Sequence, residues 1–225
     1  MAFHRPLAAA FVAVFLGLLA VPAAAQLGVA SGDELAETQG QRFSGPPEQP
    51  RRHYRVQNPA GLSASQAEAV YDDLRGALAE RYAQSGDGNA RSYQTWTRHS
   101  AAPYRSMTHG RRFVNNYAND AARDYGDGDL AGPLPPGAVI AKDSFVVTTD
   151  GEISPGPLFV MQKMAPGFNY VTGDWRYSMI TADGEFAGET LGAGAERVEF
   201  CIACHLARES DDFLFFVPPG FRPGS

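Results

Sequence analysis

Two cysteines occur in 225 residues, and a histidine directly follows the second: Cys201-Ile202-Ala203-Cys204-His205. This C-x-x-C-H string is the attachment signature of c-type haem. A lone cysteine pair falling by chance at this spacing before a histidine has odds on the order of one in five thousand. A zinc site needs about four ligands. No second cysteine pair or His-x-His cluster accompanies this one. A thioredoxin-like redox pair sits early in its domain, after a strand, whereas this pair lies near the C-terminus. The spacing has a chemical logic. On a helix over 196–208, positions 201, 204 and 205 stand at i, i+3 and i+4 and share one face. Both sulfurs then reach one edge of a porphyrin and add to its two vinyl groups. The imidazole of His205 lies under the ring as the iron ligand. The expected cofactor is therefore covalent haem c, held by Cys201, Cys204 and His205, with His205 on the metal.

The position of the motif narrows the type. Small c cytochromes carry it early and take a methionine ligand well downstream. Only 20 residues follow His205 here, without a methionine or a histidine. Helix-bundle c-prime cytochromes place it late, but in an amphipathic helical chain. Here Gly 24 and Pro 16 argue for many turns rather than a bundle.

Residues 1–25 read as a secretory signal peptide. His4 and Arg5 open it, an apolar run covers 7–19, and Ala23-Ala24-Ala25 offers a cleavage site before Gln26. The run is shorter than the roughly 20 apolar residues of a spanning helix, and no later stretch is long enough. The expected location is the periplasm. Loss of Arg5 leaves 18 basic residues against 25 acidic ones, a net charge of −7. Such a surface excludes a general nucleic-acid binder, which needs a basic face for counterion release. It reads most simply as a solubility feature, and it would also steer a basic electron-transfer partner.

Residues 26–50, rich in Gly, Glu, Gln and Pro, read as a flexible tail, and 51–225 as one haem domain. A helix is expected over 63–82, capped by Ser63 with Gln66 three residues on and carrying Val70, Leu74 and Leu78 as its apolar stripe. Strands are expected over 112–118, 139–149, 158–164 and 175–181, with 213–217 returning to the sheet. The fold class is α+β: a mainly antiparallel sheet with flanking helices and the haem on a C-terminal C-x-x-C-H helix.

Four segments taken together resemble the cytochrome P-460 family. They are the strand with Lys142 after Pro135-Pro136-Gly137, the 167–175 segment ending in Gly173-Asp174-Trp175, the strand Arg112-Phe113-Val114-Asn115-Asn116-Tyr117, and the late haem motif followed by Asp212-Phe213-Leu214-Phe215. The resemblance spans roughly residues 91 to 217. It implies a mono-haem protein with five-coordinate iron, an open distal face and, often, a homodimer. In enzymes of this family a lysine is bonded to the porphyrin and hydroxylamine is oxidised. The related β-type c-prime cytochromes lack that bond and bind nitric oxide and similar diatomics. The lysine carries over onto Lys142.

Lys142 also stands out without the resemblance. Of 19 basic residues only Lys142 and Lys163 are lysines. A buried lysine can lose its proton and become a nucleophile, which arginine cannot. On its strand Lys142 shares a face with Ile140 and Val146, with Asp143 on the opposite face. The competing reading is an edge-strand lysine that blocks aggregation.

One departure weighs against hydroxylamine chemistry. The resemblance implies a distal glutamate as proton acceptor, and Phe159 stands at or near that place. No carboxylate lies between Pro155 and Asp174. Loss of one general base slows proton removal by roughly 10² to 10⁴. An apolar pocket with Phe145 or Phe159 favours small uncharged diatomics. Other candidates are weaker. Met161, Met164 and Met179 read as core packing before ligands. His53, His99 and His109 are alternative ligands, with His109 reading as a surface residue in the turn Thr108-His109-Gly110. Tyr93, Trp96, Tyr117 and Trp175 read as core or haem-edge aromatics. Three classes follow: hydroxylamine oxidation, with a cytochrome as redox partner; binding of nitric oxide or a similar gas; or electron transfer. An open distal site disfavours the third.

Overall fold

The computed structural model describes residues 53–224, so the expected signal peptide and tail lie outside the described residues. Eight antiparallel strands form one sheet: β1 Thr97–Arg98, β2 Tyr104–Arg105, β3 Phe113–Ala118, β4 Val139–Val147, β5 Ile153–Pro155, β6 Leu158–Lys163, β7 Trp175–Ile180 and β8 Phe186–Glu189. Their order is β1-β3-β4-β6-β7-β8, with β2 also on β3 and β5 on β4. The four expected strands are present within two residues of their bounds. The short β1, β2, β5 and β8 have too few residues for an alternating pattern to show.

β4 lies in the middle of the sheet. Lys142 is in register with Asn116 of β3 and with Phe159 of β6. It is therefore not an edge lysine. Because side chains alternate along a strand, β4 serves two cores. Ile140 joins Phe159, Met161, Tyr177, Phe200 and Cys201 on one face. Ala141 and Phe145 join Tyr117, Val160 and Ile180 on the other.

The second face is covered by α1 (Ala64–Ala83). Its capping box forms as expected: Ser63 Oγ accepts the Gln66 N–H at 3.2 Å and Gln66 Oε1 accepts the Ser63 N–H at 2.9 Å. The buried stripe differs from the expected one. Ala67, Tyr71, Leu78 and Tyr82 face the sheet, while Val70 and Leu74 are only half-buried. Tyrosine explains the shift, because its ring buries a large apolar area while its hydroxyl reaches an acceptor. Tyr71 donates to Asp143 Oδ2 at 2.6 Å and Tyr82 to the Gly156 carbonyl at 2.8 Å. A short helix α2, Gly88–Ser92, follows. Tyr93 and Tyr117 pack in this core with Trp96 beside it, while Trp175 packs in the other.

Asp143 is fully buried on this face, as its parity requires. Tyr93 Oη donates to Oδ2 at 3.1 Å and Asn115 Nδ2 to Oδ1 at 3.1 Å. Burial outweighs these donors and raises its pKa to about 6. The folded state therefore holds this proton more tightly than the unfolded chain does. Stability from this group is full below the unfolded pKa near 4 and falls as pH rises to about 6. The expected loss is up to about 3 kcal/mol. Denaturant titrations at pH 4 to 7 should show that slope, and Asp143→Asn should remove it.

Two expectations near the C-terminus are corrected. The helix over 196–208 is three pieces: a 3₁₀ turn Ala195–Arg197, the α-helix α3 Glu199–His205, and 3₁₀ turns over Leu206–Asp211. The segment 213–217 does not rejoin the sheet. Asp212 and Phe213 both have positive φ, which throws the chain out of extended geometry. It crosses the face of the sheet opposite α1 instead, burying Phe213, Leu214 and Val217 in the first core.

Candidate functional site

α3 carries the whole C-x-x-C-H string, so the one-face argument survives the shorter helix. Cys201 is buried and Cys204 exposed, and neither is in a disulfide. Burial pushes the Cys201 thiol up to about 12. His205 is 6% exposed. Its ring sits 5.0 Å from Tyr177 and edge-on to Phe215 at 5.1 Å. Its Nδ1 donates to the Phe213 carbonyl at 2.6 Å. Burial, then the nearby Lys142, hold its pKa down at about 4. The ring is thus neutral at pH 7, with its proton on Nδ1 and the lone pair on Nε2, the form that ligates a metal.

A partly open cavity lies between α3 and strands β4, β6 and β7. Cys201, Cys204, His205, Lys142 and Phe159 all line it, with Ile140, Met161, Tyr177 and Phe215 among its walls. The structure thus brings together five of the six residues expected from sequence. The sixth is a correction. Phe145 stacks on Phe113 at 5.4 Å and on Tyr71 at 6.2 Å, against α1. Its odd position on β4 turns it away from Lys142.

Lys142 is 6% exposed, and its Nζ donates to the Phe215 carbonyl at 3.3 Å. Burial lowers its pKa to about 8. A useful share of the neutral amine therefore exists near neutral pH. Phe159 enters the cavity from β6, and no aspartate or glutamate is among the lining residues.

Sequence reasoning misplaced His109. It is not a surface residue: it is 6% exposed and lines the cavity. The turn folds inward because Ser106 Oγ accepts the His109 N–H at 3.2 Å and lies 3.0 Å from its Nδ1. Thr108 Oγ1 lies 3.2 Å from the same nitrogen. The available signal was Ser106 three residues ahead, a local side-chain-to-backbone turn. Burial, then Lys142, hold the His109 pKa well below its usual value. Its ring packs on Phe159 at 4.8 Å and on His53 at 5.0 Å. His53 also lines the cavity. His99 lies elsewhere, edge-on to Tyr125. Of the methionines, Met161 is a wall of the cavity, Met179 is a core residue and Met164 is half-buried outside it.

These residues fit a haem. Two unpaired thiols and one neutral imidazole stand on a single helix face at the rim of a mostly apolar slot. Among the described residues, no group of three or more His, Cys, Asp or Glu forms a metal cage of the zinc kind. No curated protein matches the chain. Among protein families, Cytochrome P460 matches residues 90–216, more than half of the chain and the span that holds every cavity-lining residue except His53. That family binds haem c covalently. The chain accordingly belongs to the cytochrome P460 family and is a c-type haem protein.

Proposed function

We propose that Cys201 and Cys204 anchor the haem, that His205 is its axial ligand, and that the protein is exported to the periplasm to carry out redox chemistry on small nitrogen compounds of the hydroxylamine kind. The observation that supports the reaction is a pair of buried nitrogen bases, Lys142 and His109, opening into the cavity that His205 lines. When bound, the haem would supply a one-electron acceptor for the substrate's electrons. Oxidation of hydroxylamine releases protons with its electrons. The electrons pass on to a partner cytochrome, whose basic surface would match the acidic one here. The protons need an acceptor beside the substrate. His109 supplies it, neutral by burial and oriented through Nδ1 by Ser106 and Thr108. Lys142 supplies the amine that would bond to the porphyrin, a C–N bond replacing one N–H and one ring C–H, with the two protons released and the two electrons taken by an oxidant such as a peroxide. Phe159 excludes water and bulky ligands from the same side.

A second reading has its own support. Phe159 and the carboxylate-free lining suit nitric oxide or another uncharged diatomic, held without chemistry.

An absorption spectrum of the reduced protein, made in a host that attaches c-type haem, separates the two. A red-shifted, broadened main band that disappears in Lys142→Ala is the expected result and favours hydroxylamine oxidation. An ordinary c-type spectrum, unchanged in Lys142→Ala, would leave gas binding as the better reading.

A further inference from the structure

The turn behind His205 is strained, and the second of the chain's two lysines holds it. Asp212 and Phe213 are consecutive non-glycine residues with φ of 53° and 62°. Such a conformation persists only where the surroundings enforce it. Asp212 provides much of that enforcement. Its Oδ1 pairs with Lys163 Nζ at 2.5 Å, with the two side chains only 7% and 9% exposed. Its Oδ2 accepts the Leu134 N–H at 2.9 Å. The Lys163 ammonium also lies 4.9 Å from the centre of the Trp175 ring. Phe213 is pinned in turn. Its N–H donates to the Arg208 carbonyl at 2.7 Å. Its ring packs so closely on Gly173 that a Cβ there would come within 2.3 Å of it. The Phe213 carbonyl is the acceptor for His205 Nδ1.

A buried ion pair is seldom a net stabiliser compared with an apolar pair of similar size. Its place at this turn gives it another use. We propose that Lys163 and Asp212 are a positioning pair for His205: anchored at the end of β6, they lock the turn that aims the Phe213 carbonyl at the imidazole. The strength of that hydrogen bond governs how much electron density the ring gives to iron, as outer partners of metal-bound histidines do generally. The inference rests on His205 being the axial ligand, and on nothing about the substrate.

The test uses the haem-loaded, reduced protein. Resonance Raman spectroscopy reads the iron–histidine stretch, and a redox titration reads the midpoint potential. Lys163→Met and the near-isosteric Asp212→Asn should both shift the stretch to lower frequency and the potential upward, because a slackened carbonyl contact makes the imidazole a poorer donor. Lys163→Arg keeps the charge and should fall closer to wild type than Lys163→Met. Asp211→Asn is the control. It breaks the exposed pair with Arg208, 2.9 Å apart in the same turn, and should leave both readings unmoved. Wild-type stretch and potential in Lys163→Met and Asp212→Asn, with only the melting temperature lowered, would overturn the proposal. A wild-type protein with no iron–histidine stretch would instead overturn the ligand assignment on which it rests.

Discussion

Cys201→Ala combined with Cys204→Ala, made in a Lys142→Ala background so that no amine bond to the porphyrin can hold it, should abolish covalent haem, so that no haem-stained band survives a denaturing gel. The reason is chemical rather than structural. The chain has no other thiols, so no other residue can form the thioether bonds. The two positions differ in what else they do. Cys204 is exposed, and its alanine variant should lose one bond and little stability. Cys201 is buried among Val198, Phe200 and Tyr177, so its replacement also removes core packing, about 1 kcal/mol for a group of this size. The single variants should each retain some attached haem. The double variant in the Lys142→Ala background should retain none, although the sheet, which is built without the two cysteines, still forms. A haem band in the double variant that also carries Lys142→Ala would mean that the attachment chemistry has been misread.

The second large effect is expected at His109. His109→Leu should lower the rate of hydroxylamine oxidation by about 10² to 10⁴, the usual worth of one positioned base. Haem attachment should be unaffected, since His109 lies on a different element from the cysteines and touches Phe159, His53, Ser106 and Thr108 rather than α3. Stopped-flow reduction of the haem by hydroxylamine measures the rate directly. Restoring a carboxylate in the same variant, by Phe159→Glu, should recover part of the loss, because β6 aims that side chain into the same cavity. An unchanged rate in His109→Leu would remove the histidine from the chemistry and return weight to gas binding.

Much of the framework was readable in the linear chain. The haem motif works through covalent spacing, which needs only one turn of helix, and α3 supplies that turn even though the helix ends at His205. The four main strands were readable because each is six residues or longer, enough for residue type and turn signals to accumulate. The helix α1 was readable from its cap, a local device. Its buried stripe was not, because whether Tyr71 or Val70 turns inward depends on an acceptor, Asp143, that is distant in sequence.

The site divides in the same way. Strand parity put Lys142 and Asp143 on opposite faces, and the same parity, applied to Phe145, would have sent it to the α1 side with Asp143. His109 shows the opposite failure: a polar turn usually points to water, and this one points inward because Ser106 and Thr108 satisfy it locally.

The sequence by itself determined the cofactor, the candidate residues to hold it, the sheet and the identity of the one lysine of β4, which faces the cavity, since each follows from local spacing or from a period of two along a strand. Only the tertiary structure decided which groups share the cavity. It set His109 against Phe159, sent Phe145 out against Phe113 and Tyr71, and placed Lys163 with Asp212 behind His205, because those contacts join residues distant along the chain.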